Sequence, residues 1–164
     1  RYINLSFNYF CNFYRIIVIT LINFIIMAYK IEQVEGIGES YAAKLREAGI
    51  NTTDDLLEKC ATRSGREKVA EATGISDKLI LKWTNHADLF RIKGVAGQFA
   101  ELLEAAGVDT VKELRHRVAD NLAPKLVAIN DEKNLCNRVP SVTEIQRMID
   151  QAKELEPIVS YGRT

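Results

Sequence analysis

Past Gly38 the chain sets apolar residues three and four apart, with polar residues between them. Tyr41, Ala42, Leu45 and Ala48 share one helical face. Gly49 follows where a left-handed cap ends a helix. "NTTDDLLEKCA" opens the next helix: Thr52 or Thr53 can cap it, and Asp54 and Asp55 suit the positive end of its dipole. "REKVAEATG" predicts a third helix, stopped at Gly74. "SDKLILKWTNHADLFRI" predicts a fourth, capped by Ser76, with Leu79, Ile80, Trp83, Ala87 and Phe90 on one face. Further on come "QFAELLEAAG", "TVKELRHRVA" and "APKLVAI". A last helix, "SVTEIQRMIDQAKEL", starts near Ser141 just after Pro140. No alternating run in residues 27–164 competes as a strand, so the pattern predicts an all-α fold.

The pattern repeats. Sliding the chain by 58 residues brings Gly36 onto Gly94, Ala42 onto Ala100 and Leu45 onto Leu103. Ala48–Gly49 meets Ala106–Gly107, Thr52 meets Thr110, and Leu56 meets Leu114. Val34/Ile92, Ile37/Val95, Tyr41/Phe99 and Ile50/Val108 are conservative matches. Two copies predict tandem units rather than a long solenoid. Tyr41 and Phe99 are expected to be buried in equivalent places, as are Leu45 and Leu103.

At the head of each copy stands a glycine-bearing turn that feeds a helix, "VEGIGES" in the first and "IKGVAGQ" in the second. Glycine permits positive φ and lets backbones approach closely. The first copy resembles the helix-hairpin-helix motif, carried by Val34, Gly36, Ile37, Gly38, Ala42 and Leu45. The second departs from it, because Ala96 stands in place of the second glycine. More degenerate hairpins are expected at "ATGIS" (72–76) and "AINDE" (128–132). Residues 27–161 as a whole resemble a bacterial domain-of-unknown-function family of tandem helix-hairpin-helix proteins. The resemblance rests on "YKIEQVEGIGESYAAKLREAGI", "TTDDLLEKCAT", "TGISDKLILKWTNHADLFRIKGV" and "LLEAAGVDTVKEL". It implies two tandem helix-hairpin-helix, SAM-like helical units, at 27–90 and 91–157, with a tail at 158–164. Related hairpin units serve repair proteins and polymerases as DNA-binding modules, an analogy at the level of fold.

Residues 1–26 are different in kind. Ile, Asn, Phe and Tyr make up 18 of the 26, with no Ala, Gly, Pro, Asp, Glu, Gln or Lys. At Met27 the composition changes abruptly. Residues encoded by codons rich in A and T point to translated upstream sequence, with the protein beginning at Met27. The rival reading is a membrane anchor or signal. The apolar run Ile16 to Tyr29 falls short of the roughly 20 residues a span needs. Without an anchor, a cytoplasmic location is expected.

The remaining composition narrows the function. With 47% hydrophobic residues the chain is globular. Cys11, Cys60 and Cys136 are far apart and lack metal-ligand spacing, so free buried thiols in a reducing compartment are expected. His86 and His116 have no second ligand at i+3 or i+4 and read as surface or capping residues. No nucleophile motif and no phosphate-binding loop ending in Lys-Ser or Lys-Thr is present. No catalytic residue, metal or cofactor is implied, and the acids read as solvated helix faces. Trp83 reads as core before it reads as a platform for a base.

Two functions of different class remain. A glycine turn at a helix start offers free N–H groups and a positive dipole end, a ready site for a phosphate. The candidate contacts are Gly36 and Gly38 in the first turn. In the second they are Arg91, Lys93, Gly94, Gly97 and Gln98, with Arg115 and Arg117 from the basic cluster on the next helix. The second turn is expected to carry more of the contact, since Glu35 and Glu39 flank the first. Against DNA stands the charge: residues 27–164 carry 20 Lys and Arg against 22 Asp and Glu. The alternative is a protein-interaction or scaffold module that keeps the fold and has lost the phosphate contacts. The balance leans to sequence-independent DNA binding.

Overall fold

A computed structural model describes residues 28–162. The expectations for residues 1–26 and the thiol of Cys11 lie outside the described residues. Among the described residues there are eight α-helices and a single 3-10 turn, Ile31–Gln33. The helices are α1 (Glu39–Glu47), α2 (Thr53–Cys60), α3 (Arg63–Thr73), α4 (Asp77–Leu89), α5 (Gln98–Ala105), α6 (Val111–Leu114), α7 (Ala119–Lys133) and α8 (Val142–Glu154). Lys30 and Thr52 form an isolated antiparallel bridge. The fold is all-α.

Local chemistry explains most of the boundaries. Hydroxyls at Thr52, Thr62, Ser76 and Ser141 accept an N–H from the first turns of α2, α3, α4 and α8. In α2 and α8 the third residue, Asp55 or Glu144, reaches back to the cap N–H, closing a capping box. Gly74 ends α3 in the left-handed region, as expected. The expected turn at 128–132 is absent: those residues lie inside α7. Pro124 sits early in that helix, and the chain leaves it only at Asn134, with φ +51°. The Asn130 side chain holds both the N–H and the carbonyl of Cys136, so the exit is stitched back onto the last turn. The basic string 115–117 is also not helical, since α6 stops at Leu114.

The 58-residue repeat recurs in the backbone. Ile37 N–H donates to Val34 O at 3.1 Å and Val95 N–H to Ile92 O at 3.0 Å. Ile50 N–H donates to Leu45 O at 2.8 Å and Val108 N–H to Leu103 O at 2.9 Å. Gly36 and Gly94 share the same unusual φ, +87° and +92°. Beyond α7 the spacing becomes 65 residues, because α7 is 15 residues long against 11 for α3 and a loop follows it. Ser76 and Ser141 then match as caps, and Trp83 matches Met148.

In the first half α2, α3 and α4 pack on one another; in the second α7 packs on α5 and α8, and α6 on α8. The α4 helix also meets α5, joining the halves, and its residues Trp83 to Leu89, with the following Phe90, are all buried. The C-terminal segment returns to the first half. Ser160 N–H donates to Ala61 O, and the buried Arg66 donates to the carbonyls of Cys60, Ala61 and Ser160. Cys60 and Cys136 are free and buried. Burial pushes the Cys60 thiol up to about 11.

Leu45, Leu103 and Phe99 are buried as expected, but Tyr41 is 36% exposed. Its ring lies edge-on to Trp83, with centroids 5.1 Å apart. The difference follows from packing: α5 is covered by both α4 and α7, whereas α1 rests on α3 and the 3-10 turn.

Candidate nucleic-acid interface

The first glycine turn is pinned on both sides by buried Val34 and Ile37, so Gly36 must reverse the chain between them. Gly38 then caps α1 with an ordinary backbone, φ −77° and ψ 172°, and open space around it. No side chain caps this helix. Its first backbone bond runs from Ala42 N–H to Gly38 O, which leaves the N–H groups of Glu39, Ser40 and Tyr41 without an acceptor among the described residues. The flanking acids are partly neutralised: Arg46 pairs with Glu39 at 2.5 Å and also with Glu32. Glu35 stays exposed.

The second turn is pinned by Ile92 and Val95 in the same way. Its helix, α5, is capped by Gly97 at φ +47°, again with no capping side chain. Exposed Gln98 opens the helix, and the N–H groups of Gly97 and Gln98 find no backbone acceptor. A methyl built on Gly94 would come within 3.3 Å of Met148 Cε on α8, and Gln151 of the same helix accepts the Lys93 N–H at 3.0 Å.

The arginines expected to serve this turn have other partners. Arg91 donates to Asp88 at 2.5 Å and to the Glu156 carbonyl at 2.9 Å. Asp88 is 1% exposed and also accepts the Val111 N–H at 2.8 Å. Burial raises its carboxyl above the ordinary range against the pull of Arg91 and that N–H. Arg115 donates to the Lys153 carbonyl, and Arg117 to the Gly107 carbonyl at the end of α5. Lys59 does the same for Ala48 at the end of α1, so the position 58 residues before Arg117 also closes a helix. Cations suit that negative end. Of the four basic residues singled out from sequence, Lys93 is the one whose side chain has no carboxylate or carbonyl partner among the described residues.

His86 is not at the surface. It is fully buried on α4, with Nε2 3.0 Å from Glu104 Oε2 and Nδ1 unpartnered. Lys82 reaches the same carboxylate oxygen at 3.2 Å, so the group joins α4 to α5. His116 is exposed, beside a shallow cleft of about 230 Å³ bordered by Arg117, Asn121 and Lys125. Among the described residues no group of three or more His, Cys, Asp or Glu stands close enough to hold a metal ion. None of their helices is long and apolar enough to cross a membrane.

A family model for DUF4332, a domain of unknown function, matches residues 35–155. The chain belongs to the DUF4332 family. The matched stretch of this DUF4332 chain contains both turn glycines, Gly36 and Gly94, and all eight helices of the described residues. The family description names no activity, so function rests on the geometry of those turns. No curated protein and no solved structure matches the chain.

Sequence reasoning missed three participants. Arg46 looks like any helix-surface cation until the fold sets Glu32 and Glu39 beside it. Gln151 meets Lys93 only through the packing of α8. Trp83 is core, but its indole nitrogen borders Gly36.

Proposed function

We propose that this DUF4332 chain is a non-catalytic, sequence-independent DNA-binding protein of two helix-hairpin-helix units, acting in the bacterial cytoplasm. The two uncapped helix starts that follow a glycine turn carry this reading. Four helices close their first turn with a Thr or Ser hydroxyl. The other four, α1, α5, α6 and α7, have no capping side chain, and of these α1 and α5 leave the glycine hairpins, beginning at Gly38 and Gly97 with N–H groups unpaired. Such a start takes a phosphate through its amides and dipole. Contacts of this kind position the duplex and carry no sequence information. With Arg91, Arg115 and Arg117 engaged internally, Lys93 is the charge that supports the second hairpin.

The second reading is a protein-interaction module. It is favoured by the net −2 of residues 27–164 and by those three engaged arginines. The full chain titrated at about 50 mM salt with duplex, single-stranded and branched DNA separates the two. Binding that is indifferent to sequence and weakens with salt supports the DNA reading. No salt-sensitive binding to any of the three substrates sinks it and leaves the interaction module.

A further inference from the structure

We propose that the first glycine turn holds a phosphate oxygen of the nucleic-acid backbone through a side-chain donor, the indole N–H of Trp83. This rests on the DNA-binding reading above.

The Trp83 ring is 1% exposed, packed between the core and Tyr41. Its Nε1 sits 3.3 Å from where a methyl on Gly36 would be, at the heart of the first turn. An indole N–H is a donor only, and a buried tryptophan ordinarily finds it an acceptor. This one has none among the described residues. The side-chain atoms there that are both unpaired and sealed from solvent are Arg66 Nε and His86 Nδ1. The indole nitrogen is also without a partner but is not among these sealed atoms. Two residues on, α1 starts with three N–H groups lacking acceptors, and nothing lies within 4 Å of a methyl built on its capping glycine, Gly38. Gly38 needs neither positive φ nor close packing; it is the N-cap of α1, and its bare backbone leaves the space beside the turn open.

Unpaired donors therefore border one turn, the indole at Gly36 and the α1 amides two residues on, and an oxyanion is the ligand class that such donors take. The second turn lacks the device. The residue that matches Trp83 there is Met148, whose thioether has no proton to donate. The two turns thus divide the work. The first holds its phosphate with neutral donors and releases no counterion; the second adds the charge of Lys93.

Trp83 is the single tryptophan of the chain, so its indole N–H gives one resolved resonance. The full chain, labelled with ¹⁵N, is titrated with duplex DNA at about 50 mM salt. The indole resonance is expected to shift as duplex binds, and its exchange with solvent to slow. Trp83→Phe keeps an aromatic side chain in the core, though a smaller one, and removes the donor; its helical circular dichroism is compared with wild type to confirm the fold. It should weaken duplex binding about tenfold, the worth of one hydrogen bond to a charged group. It should leave the slope of log affinity against log salt unchanged. Gly38→Val, placed in open space at an ordinary φ, should fold as the wild type does and weaken binding by crowding the turn. Saturating duplex with no movement of the indole resonance overturns the inference while the DNA reading stands. So does Trp83→Phe binding at wild-type strength. A shift caused by inorganic phosphate but not by duplex assigns the site to free phosphate and also overturns it. A wild-type chain that binds no DNA brings down both this inference and the reading beneath it.

Discussion

Replacing Gly36 and Gly38 by alanine, one at a time, tests the turn geometry with an internal control two residues away. Gly36 sits at φ +87°, where an L side chain costs about 1–2 kcal/mol. Its new methyl would also press on Trp83 Nε1 at 3.3 Å, and that ring is locked in the core, so an overpacking cost of about 1 kcal/mol adds to the strain. The lower entropy of the unfolded alanine chain returns about 0.4–1 kcal/mol. The net is a loss of about 2 kcal/mol, a large share of the 5–15 kcal/mol typical of a domain, and a fall in Tm of roughly 4–8 °C. Gly38→Ala meets no strain and no neighbour, but alanine is a poorer N-cap than glycine, which offsets the entropic gain, so the change should stay within about 0.5 kcal/mol of neutral. Gly94→Ala shares the φ strain, but its neighbour is the flexible end of Met148, which yields. It should cost about 1 kcal/mol less than Gly36→Ala. Denaturant titration followed by circular dichroism gives all three values. Equal losses at Gly36 and Gly38, or no loss at Gly36, would refute the assigned turn.

Gly65→Ala should be the most damaging glycine change, costing about 3 kcal/mol or more in the same titration, because its methyl would lie 2.0 Å from the Lys59 carbonyl oxygen and neither backbone can give way. A mild effect would mean that α2 and α3 do not meet there. The Glu104 carboxyl is held below the ordinary range, chiefly by the hydrogen bond from His86 and then against the opposing effect of burial. Its contribution to stability is therefore complete above the unfolded value of about 4.3 and lost as pH falls through the lower folded value. Glu104→Gln should flatten the acid side of the stability–pH curve, and an unchanged slope would show that the His86 contact does not hold the carboxylate.

The helices were legible because caps and apolar spacing are local. Thr52, Ser76 and Ser141 stand directly before the faces they start, and Gly74 ends α3 in the left-handed conformation that glycine allows. The repeat was legible because one backbone turn needs the same residues twice. Asn130 and Asn134 were harder. Nothing in "AINDE" announces that Asn130 will stitch α7 to Cys136, or that the left-handed exit waits until Asn134, so a turn was expected four residues early. The cations were hardest of all. Arg91, Arg115 and Arg117 look like a basic patch in sequence, yet each finds a carbonyl, Arg117 from Gly107 at the end of the preceding helix and the other two from distant segments. The Glu156 carbonyl is 65 residues from Arg91 and the Lys153 carbonyl 38 residues from Arg115. The burial of His86 and the exposure of Tyr41 likewise depend on which helix covers which, and spacing along one helix carries no record of that.

The most direct test of the account is the salt dependence of duplex binding by the full chain, measured for wild type and Lys93→Glu. With three arginines tied to carbonyls and the first turn using neutral donors, few phosphates are neutralised. The expected slope of log affinity against log salt is shallow, about −1 to −2. Lys93→Glu should flatten it by about one unit and weaken every sequence alike. Wild-type duplex binding that ignores salt, or a slope untouched by Lys93→Glu, would contradict the claim that the second glycine turn holds the nucleic-acid backbone through Lys93.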